Sequence, residues 1–288
     1  MVLFISSGDN FEMALPLTDE DFVRLYTYIH QNYGIDLHKK KMLIVSRLEH
    51  SLDEMGYRSF HSYVDDIVSG SRPDLVNPML VKLTTNYTFF MREQQHFDFM
   101  METVLPWMEQ VHQRDKCLAI WSAGCSSGEE PYSISMCLEE YFGSRASVWD
   151  TRVLATDISQ NVMAHAMKPS YIRDELESLP EGWISKYFVK KSDGEYTVSD
   201  AIRRNVIFQP FNLMHPIRWK KRMDLIFCRN VMIYFDQDTK NALVNRFYDA
   251  TRPGGYLFIG HSEGLGAANV PYDYIKPAIY RKKDNGLR

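Results

Sequence analysis

The sequence has few cysteines, no surplus of basic residues and no long apolar run. Its 288 residues include only four cysteines, at 117, 125, 137 and 228, and no C-x-x-C pair. This usage predicts reduced thiols in a cytosolic protein. A net charge of -4 excludes a general nucleic-acid binder, whose phosphate contacts need a basic surplus. No apolar run is long enough to cross a bilayer, so direct membrane insertion is not expected.

The sequence also lacks the G-x-G-x-x-G fingerprint of a dinucleotide site, which disfavours a nicotinamide oxidoreductase. Instead, the stretch 121–133 (WSAGCSSGEEPYS) predicts a buried strand, a turn of small residues and a helix start. A second strand, 154–157, ends in the carboxylate of Asp157. Small residues let the backbone approach a ligand, the helix start offers N–H groups, and the acid accepts hydrogen bonds from ribose hydroxyls. S-adenosylmethionine (SAM), an adenosyl ligand without a pyrophosphate, fits this pattern.

Hydrophobic periodicity divides the chain into regions of different type. Residues 1–16 lack periodicity and predict a flexible arm. Apolar residues at helical spacing predict an all-helical N-terminal domain over 17–91 and a linker helix over 92–112. Over 113–288, short apolar runs alternate with helices, which predicts an α/β fold with a mostly parallel, Rossmann-like sheet. An insert at about 168–204 has a different pattern, a helix combined with short strands, which predicts a small β-subdomain.

Two acidic positions each have a structural and a functional interpretation. Ser127 and Glu130 have the spacing of a capping box for the helix that follows. Glu129, beside them, either complements the helix dipole or holds the ammonium group of a methionine-like ligand. Asp157 either caps the next helix or binds a ribose.

Polar residues also follow the later strands. Asn212, followed by Leu213, either fills a turn or pairs with an adenine edge, because an amide both donates and accepts. Tyr234, next to the last residue of the stretch 227–235 (FCRNVMIYF), is either a packed aromatic or a site residue. Arg92 follows a helical pattern and, by pattern alone, is equally consistent with a surface ion pair.

Four motifs in this order resemble one family, the bacterial chemotaxis receptor methyltransferases (CheR). They are T-T-N-x-T-x-F-x-R at 84–92, G-E-E-P-Y-S at 128–133, A-T-D-I at 155–158 and F-C-R-N-V-M-I-Y-F at 227–235. The resemblance covers about 17–282. It implies a SAM-methyltransferase fold and the methylation of chemoreceptor glutamate side chains, giving methyl esters and S-adenosylhomocysteine.

The resemblance also implies the site. The implied cofactor contacts are Asn86, Thr88, Arg92, Glu129, Asp157, Asn212, Leu213, Arg229 and Asn230. Arg92 and Tyr234 would lie nearest the transferred methyl group. No metal is expected.

The expected partners are the cytoplasmic helical bundles of chemoreceptors. A basic strip that contains Lys40 and Arg47 either binds these bundles or is simply a solvated face of its helix. Some family members grip a receptor C-terminal pentapeptide, but the stretch 188–198 looks shorter and lacks their Gly-Arg-Arg-like feature. We therefore predict recognition without the pentapeptide, by a cytoplasmic monomer recruited to membrane-bound receptor arrays. The alternatives are a SAM methyltransferase with another protein or small-molecule acceptor, and a non-catalytic SAM-sensing adaptor.

Overall fold

The computed structural model of the protein describes residues 16–265 and 272–284. The predicted arm, residues 1–16, lies almost entirely outside these described residues. The described chain divides into two compact units: the first ends at Leu83 and the second contains Gln31–Asp36 and everything from Thr84 onward. No described helix has both the length and the apolarity that a membrane span requires.

The first unit is helical. Its helices are α1 (Asp19–Tyr33, whose last three residues count with the second unit), α2 (Lys41–Glu54), α3 (Phe60–Ser69) and α4 (Val76–Leu83). Thr18 caps α1, since its hydroxyl accepts from the N–H of Asp21 at 3.1 Å. The apolar residues at helical spacing, such as Leu25 and Ile44, are fully buried.

The second unit begins with an irregular stretch and a long helical segment. Residues 84–92 follow α4 without forming a helix, and Met91 and Glu93 both have positive φ. The helical segment then runs through α5 (Gln95–Phe99), a wide turn (Met100–Val104) and α6 (Leu105–Val111). The helix predicted over 92–112 therefore begins three residues later, where the positive φ values end.

A seven-stranded sheet forms the centre of the second unit. Its strands are β1 (Ile120–Ala123), β2 (Val153–Asp157), β5 (Val206–Pro210), β6 (Met223–Cys228), β7 (Thr251–Ile259), β8 (Tyr272–Lys276) and β9 (Ile279–Lys282). Their order is β5-β2-β1-β6-β7-β9-β8. The first five are parallel, and β9 and β8 form an antiparallel hairpin against β7.

Helices and a small second sheet complete this unit. The remaining helices are α7 (Glu129–Phe142), α8 (Gln160–Met167), α9 (Trp183–Tyr187), α10 (Asp200–Arg204) and α11 (Gln237–Ala250). The strands β3 (Phe188–Lys190) and β4 (Tyr196–Val198) pair antiparallel inside the predicted insert. The predicted fold class, a Rossmann-like sheet with an inserted β-subdomain after a helical domain, is confirmed.

The connection order places a crevice beside the first strand. The chain leaves β1 towards β2 and β5, and later returns to the other side of β1 through β6. The strand order therefore reverses between β1 and β6. In open α/β sheets, ligands bind at such a reversal, beyond the carboxyl ends of the strands.

Candidate active site

A cavity opens at the carboxyl ends of β1, β2, β5 and β6. It encloses about 1250 Å³ outside the protein atoms, its open mouth included. All of its lining residues belong to the second unit, including Tyr33 at the end of α1 and Ile35 just after it. The predicted site residues among them are Asn86, Thr88, Arg92, Asp157, Asn212, Leu213, Arg229, Asn230 and Tyr234.

The turn after β1 brings the backbone close to this cavity. The N–H groups of Gly124 and Cys125 both donate to the carbonyl of Thr156, at 2.8 and 2.9 Å. Gly124 has a φ of +95°, and a Cβ there would lie 2.4 Å from Cγ2 of Val231. Only glycine therefore permits this turn and the close approach of the loop that follows β6.

Asp157 lies at the end of β2, as predicted. Its two carboxylate oxygens accept the N–H groups of Ser126 and Ser159, each at 2.9 Å. Burial raises the pKa of this carboxyl, although the backbone N–H bonds oppose the shift. A carboxylate has about four lone-pair sites, so Asp157 retains capacity for ribose hydroxyls. The helix cap is instead Ser159, whose hydroxyl accepts the N–H of Val162.

The predicted capping box at the start of α7 is wrong. The residue that precedes the helix is Gly128, with a φ of +101°, and no side chain caps it. The hydroxyl of Ser127 donates to Oε2 of Glu129 at 2.7 Å, and Glu130 accepts the hydroxyl of Ser122 at 2.7 Å. The left-handed turn at Gly128 directs both side chains away from the box geometry.

The two neighbouring glutamates have different surroundings. Glu129 is buried, which raises the pKa of its carboxyl. It is absent from the described lining of the cavity, which contains Glu130. Its carboxylate is instead held by the hydroxyl of Ser127 in the turn before α7. Its predicted contact with the methionine part of SAM stays a prediction.

Arg229 is held in a buried ion network that the sequence analysis did not predict. Its side chain is 2% exposed, with Nη2 3.2 Å from Oε2 of Glu93 and Nη1 3.1 Å from Oε2 of Glu130. Its guanidinium also donates to the backbone carbonyl of Arg92. A buried guanidinium paired in this way fixes the groups around it. Arg229 thus joins β6, α7 and the segment that carries Arg92.

Glu263 is a second residue that the sequence analysis missed. Its carboxylate accepts the backbone N–H groups of Gly260 (2.6 Å), Asn230 (2.9 Å) and Ile233 (3.1 Å). These bonds hold the loop after β6, in which Asn230 has a φ of +58°. Burial raises the pKa of Glu263, while the backbone N–H bonds oppose the shift. A carboxylate soon after β7, at the same edge of the sheet as Asp157, is the signal that would have indicated it.

The segment 84–92 lines the cavity through several fixed points. The carbonyl of Asn86 accepts the hydroxyl of Ser126 at 2.8 Å, and the N–H of Met91 donates to the hydroxyl of Ser133 at 3.0 Å. Nη1 of Arg92 donates to the carbonyl of Tyr87 at 2.9 Å. A guanidinium has five N–H donors, so this one bond leaves Arg92 able to hold an anion.

Asn212 lies on the cavity wall and also supports its own turn. Its Nδ2 donates to the carbonyl of Asn32 at 2.8 Å, and its Oδ1 accepts the N–H of Met214 at 2.9 Å. An amide has two donors and two acceptor lone pairs, so one of each remains for an adenine edge. Leu213 follows it as a buried apolar residue.

The chemistry of the lining fits SAM. A buried carboxylate faces a turn of small residues, and apolar side chains such as Phe97, Ile158 and Leu213 complete the wall. Ribose, amino-acid and adenine groups need this combination of acceptors, amide groups and apolar surface. The residues that would hold the cofactor are therefore Asp157, Asn212 and the segment 84–92.

Comparisons with known proteins identify the chain. A family model described as "CheR methyltransferase, SAM binding domain" matches residues 86–280, and "CheR methyltransferase, all-alpha domain" matches 20–84. A chemotaxis protein methyltransferase of Borreliella burgdorferi is 38% identical over 96% of this chain and 99% of its own. One from Escherichia coli is 35% identical over 87% of this chain and 86% of its own. The chain belongs to the CheR methyltransferase family, and it is a SAM-dependent methyltransferase of the chemotaxis type.

Proposed function

We propose that the protein methylates glutamate side chains of bacterial chemoreceptors, giving glutamate methyl esters and S-adenosylhomocysteine. The observation that carries this proposal is the position of Arg92, which lines the same cavity as Asp157. A guanidinium fork matches the geometry of a carboxylate. The cavity thus combines a ribose-type acceptor with a cation suited to an incoming acidic side chain.

The reaction needs alignment more than acid–base catalysis. Bound SAM supplies a methyl group activated by its sulfonium charge. A glutamate carboxylate is already ionised near pH 7, so the protein needs no general base. Arg92 orients the carboxylate, and the lining apolar side chains exclude water from it. Each of these roles is one of binding and positioning.

Tyr234 contributes by position. It ends the turn after β6, and its hydroxyl contacts both backbone groups of Thr85. The single proton of that hydroxyl is donated to the carbonyl of Thr85. Tyr234 therefore holds in place the segment that carries Arg92. In this proposal Tyr234 positions the carboxylate through Arg92, with its ring at the cavity wall.

We further propose that receptor recognition does not require a C-terminal pentapeptide. The hairpin in the insert is short, since β3 and β4 have three residues each. They are joined by Lys191–Glu195, in which Gly194 has a φ of +90°. So short a hairpin agrees with the expectation, drawn from the family resemblance, that the longer loop of pentapeptide-binding members is missing here. Calorimetry with a receptor pentapeptide should detect no tight binding, and tight binding would contradict this part of the proposal.

We also propose that the receptor helices dock on the basic strip formed by Lys40 and Arg47 at α2. Lys40 precedes the helix and is exposed, and Arg47 lies two turns further along it. Lys41, between them, forms an exposed pair with Asp19. Acid-rich methylation helices would complement this surface, which would recruit the enzyme to receptor arrays as a monomer.

The defining experiment follows the methyl group. Purified protein, labelled SAM and membranes containing candidate receptors are incubated, and the product is treated with base. Methyl esters release labelled methanol, whereas N-methyl groups are stable, so release identifies the acceptor as a carboxylate. Receptors with glutamate-to-alanine changes at the methylation sites serve as the control. Label in another protein, in a small molecule or nowhere would favour the alternative functions and exclude this one.

A further inference from the structure

His96, on α5, is fully buried yet poorly satisfied. Its side chain is 0% exposed. Within 16–265 and 272–284, neither of its ring nitrogens has a hydrogen-bond partner. Buried polar atoms are usually paired, because an unpaired one loses its bonds to water without replacement. A neutral imidazole has one N–H and one lone-pair nitrogen, so the ring offers one unused nitrogen ligand inside the second unit.

Two further ligand side chains surround this ring. Oε2 of Glu93 lies 3.4 Å from Nδ1 of His96 but outside hydrogen-bond alignment. The ring of His261 lies with its centroid 4.9 Å from that of His96, at 70° to it. One ligand atom from each of the three side chains lies within 4.8 Å of the others. His261 is exposed, so this cluster has an entry path from solvent.

We propose that Glu93, His96 and His261 form a binding site for a divalent transition metal of the zinc type. Two imidazoles and one carboxylate are a common ligand set for zinc, with water in the fourth position. Bonds of about 2.0–2.2 Å in a tetrahedron separate ligand atoms by roughly 3.3 Å. The 3.4 Å between Oε2 of Glu93 and Nδ1 of His96 is already close to this value. Rotation of the exposed His261 ring would bring its ligand nitrogen to a similar distance from the other two atoms.

The charges around the cluster tolerate a cation. Arg229 lies against Glu93, but it is also paired with Glu130, so the two carboxylates exceed the one guanidinium. Because Glu93 contacts Arg229, the metal would share a ligand with the network at the cavity wall.

Metal binding is measured directly, on protein without a histidine tag and freed of metals by a chelator. We expect calorimetry to show one zinc ion per chain, and cobalt substitution to give the absorption of a four-coordinate site. His261→Ala should weaken zinc binding by at least tenfold, since loss of even an outer-shell partner costs about 10–100-fold. His261 is exposed, so this variant should fold.

A matched control distinguishes this cluster from ordinary surface histidines. His50 lies beside Glu54, at 3.2 Å, on an exposed helix face, so His50→Ala should leave zinc affinity unchanged. His96→Gln, where circular dichroism shows it folded, should abolish binding. No zinc binding by the wild type, equal binding by His261→Ala, or an equal loss in His50→Ala would each overturn the proposal.

Discussion

The hydroxyl oxygen of Tyr234 lies 2.8 Å from the backbone nitrogen of Thr85 and 3.1 Å from its carbonyl oxygen. The two residues are 149 positions apart in the chain. This pair of bonds ties the turn after β6 to the segment 84–92. Both elements line the cavity, so the relationship fixes one wall of the site to the other.

Removing this hydroxyl should impair catalysis more than folding. Tyr234→Phe loses both bonds to Thr85, so the segment that carries Arg92 becomes less well positioned. We expect kcat to fall by about tenfold or more, whereas the free energy of unfolding falls by only about 1–2 kcal/mol. Methyl-transfer kinetics and urea unfolding measure the two effects. Tyr274→Phe, at an exposed tyrosine on β8, is the control, and unchanged kcat in Tyr234→Phe would remove the positioning role.

Arg92 should be more important for turnover than for stability. Arg92→Ala removes the proposed carboxylate ligand, and we expect kcat/KM for the receptor to fall about 100-fold or more. The melting temperature should change little, because the hydrogen bond that its side chain makes is to the local carbonyl of Tyr87. Arg92→Lys keeps the charge but loses the fork, so it should restore only part of the activity.

The control for Arg92 is an arginine with an ordinary exposed ion pair. Arg203 pairs with Asp200 on α10 at 2.6 Å, and Arg203→Ala should keep wild-type kinetics. Receptor methylation at the wild-type rate by Arg92→Ala would disprove the assigned role.

Glu263 should support both stability and cofactor binding. Glu263→Ala leaves the N–H groups of Gly260, Asn230 and Ile233 without their acceptor, at a cost of at least about 2 kcal/mol in unfolding free energy. Because Asn230 lines the cavity, affinity for S-adenosylhomocysteine should fall as well. Calorimetry measures that affinity, and Glu177→Ala, at an exposed glutamate, is the control. Wild-type affinity in Glu263→Ala would show that the loop holds its shape without this carboxylate.

The pair of His61 and Asp21 should make the stability of the first unit depend on pH. Nδ1 of His61 lies 2.9 Å from Oδ1 of Asp21. This hydrogen bond, with the charges of Asp21 and Asp65, raises the pKa of His61 above its usual value. A raised histidine pKa gives stability that is fully present below about pH 6.5 and lost as the pH rises through the folded-state value.

The carboxyl of Asp21 sets the acid limit of this effect. Burial raises its pKa, but hydrogen bonds from His61, Thr18 and Arg24 outweigh burial and lower it. Its contribution is therefore lost only as the pH falls below about 4. We expect the melting temperatures of wild type and His61→Ala to differ more at about pH 5 than at about pH 8.5. In an Asp21→Asn background this pH dependence should become clearly smaller, because only Asp65, 3.3 Å from Nε2 of His61, then remains beside the ring. An unchanged pH dependence there would exclude Asp21 as the main partner.

Charge reversal on α2 tests receptor docking. Lys40→Glu should raise the apparent KM for receptor membranes and weaken its dependence on salt, since one attractive charge becomes repulsive. Arg47→Glu should act in the same direction, but it also loses the bond from Nη1 to the carbonyl of Lys82. Lys168→Glu, at an exposed position beyond α8, makes the same change in net charge. Equal KM values in all of these variants would exclude docking through this strip.

The sequence predicts those parts of the site that local chemistry determines. Gly124 and Asp157 follow apolar strands, and the carboxyl ends of parallel strands meet at one edge of a sheet. Their proximity can therefore be inferred without knowing the strand order. The strand β1 is buried at every position, which is the pattern of a central parallel strand.

The remaining parts depend on contacts between distant positions. Nothing near Arg229 in the chain indicates that Glu93 and Glu130 neutralise it, because pairing across the sheet edge is set by the tertiary fold. The same holds for Tyr234 and Thr85. The capping box predicted for Ser127 and Glu130 does not form for a local reason: Gly128 has a left-handed conformation, which glycine adopts readily.

The segment Gln31–Asp36 has a consequence for engineering. The N–H of Asp36 donates to the carbonyl of Tyr234 at 2.7 Å, and Ile35 forms a bridge with Phe235, so this short piece belongs to the second unit. The chain therefore passes between its two units three times, after His30, after Asp36 and after Leu83. A hybrid enzyme spliced only after Leu83 would import a foreign cavity wall with its new helical domain. Successful recombination between relatives needs a graft that retains residues 31–36 with the catalytic half.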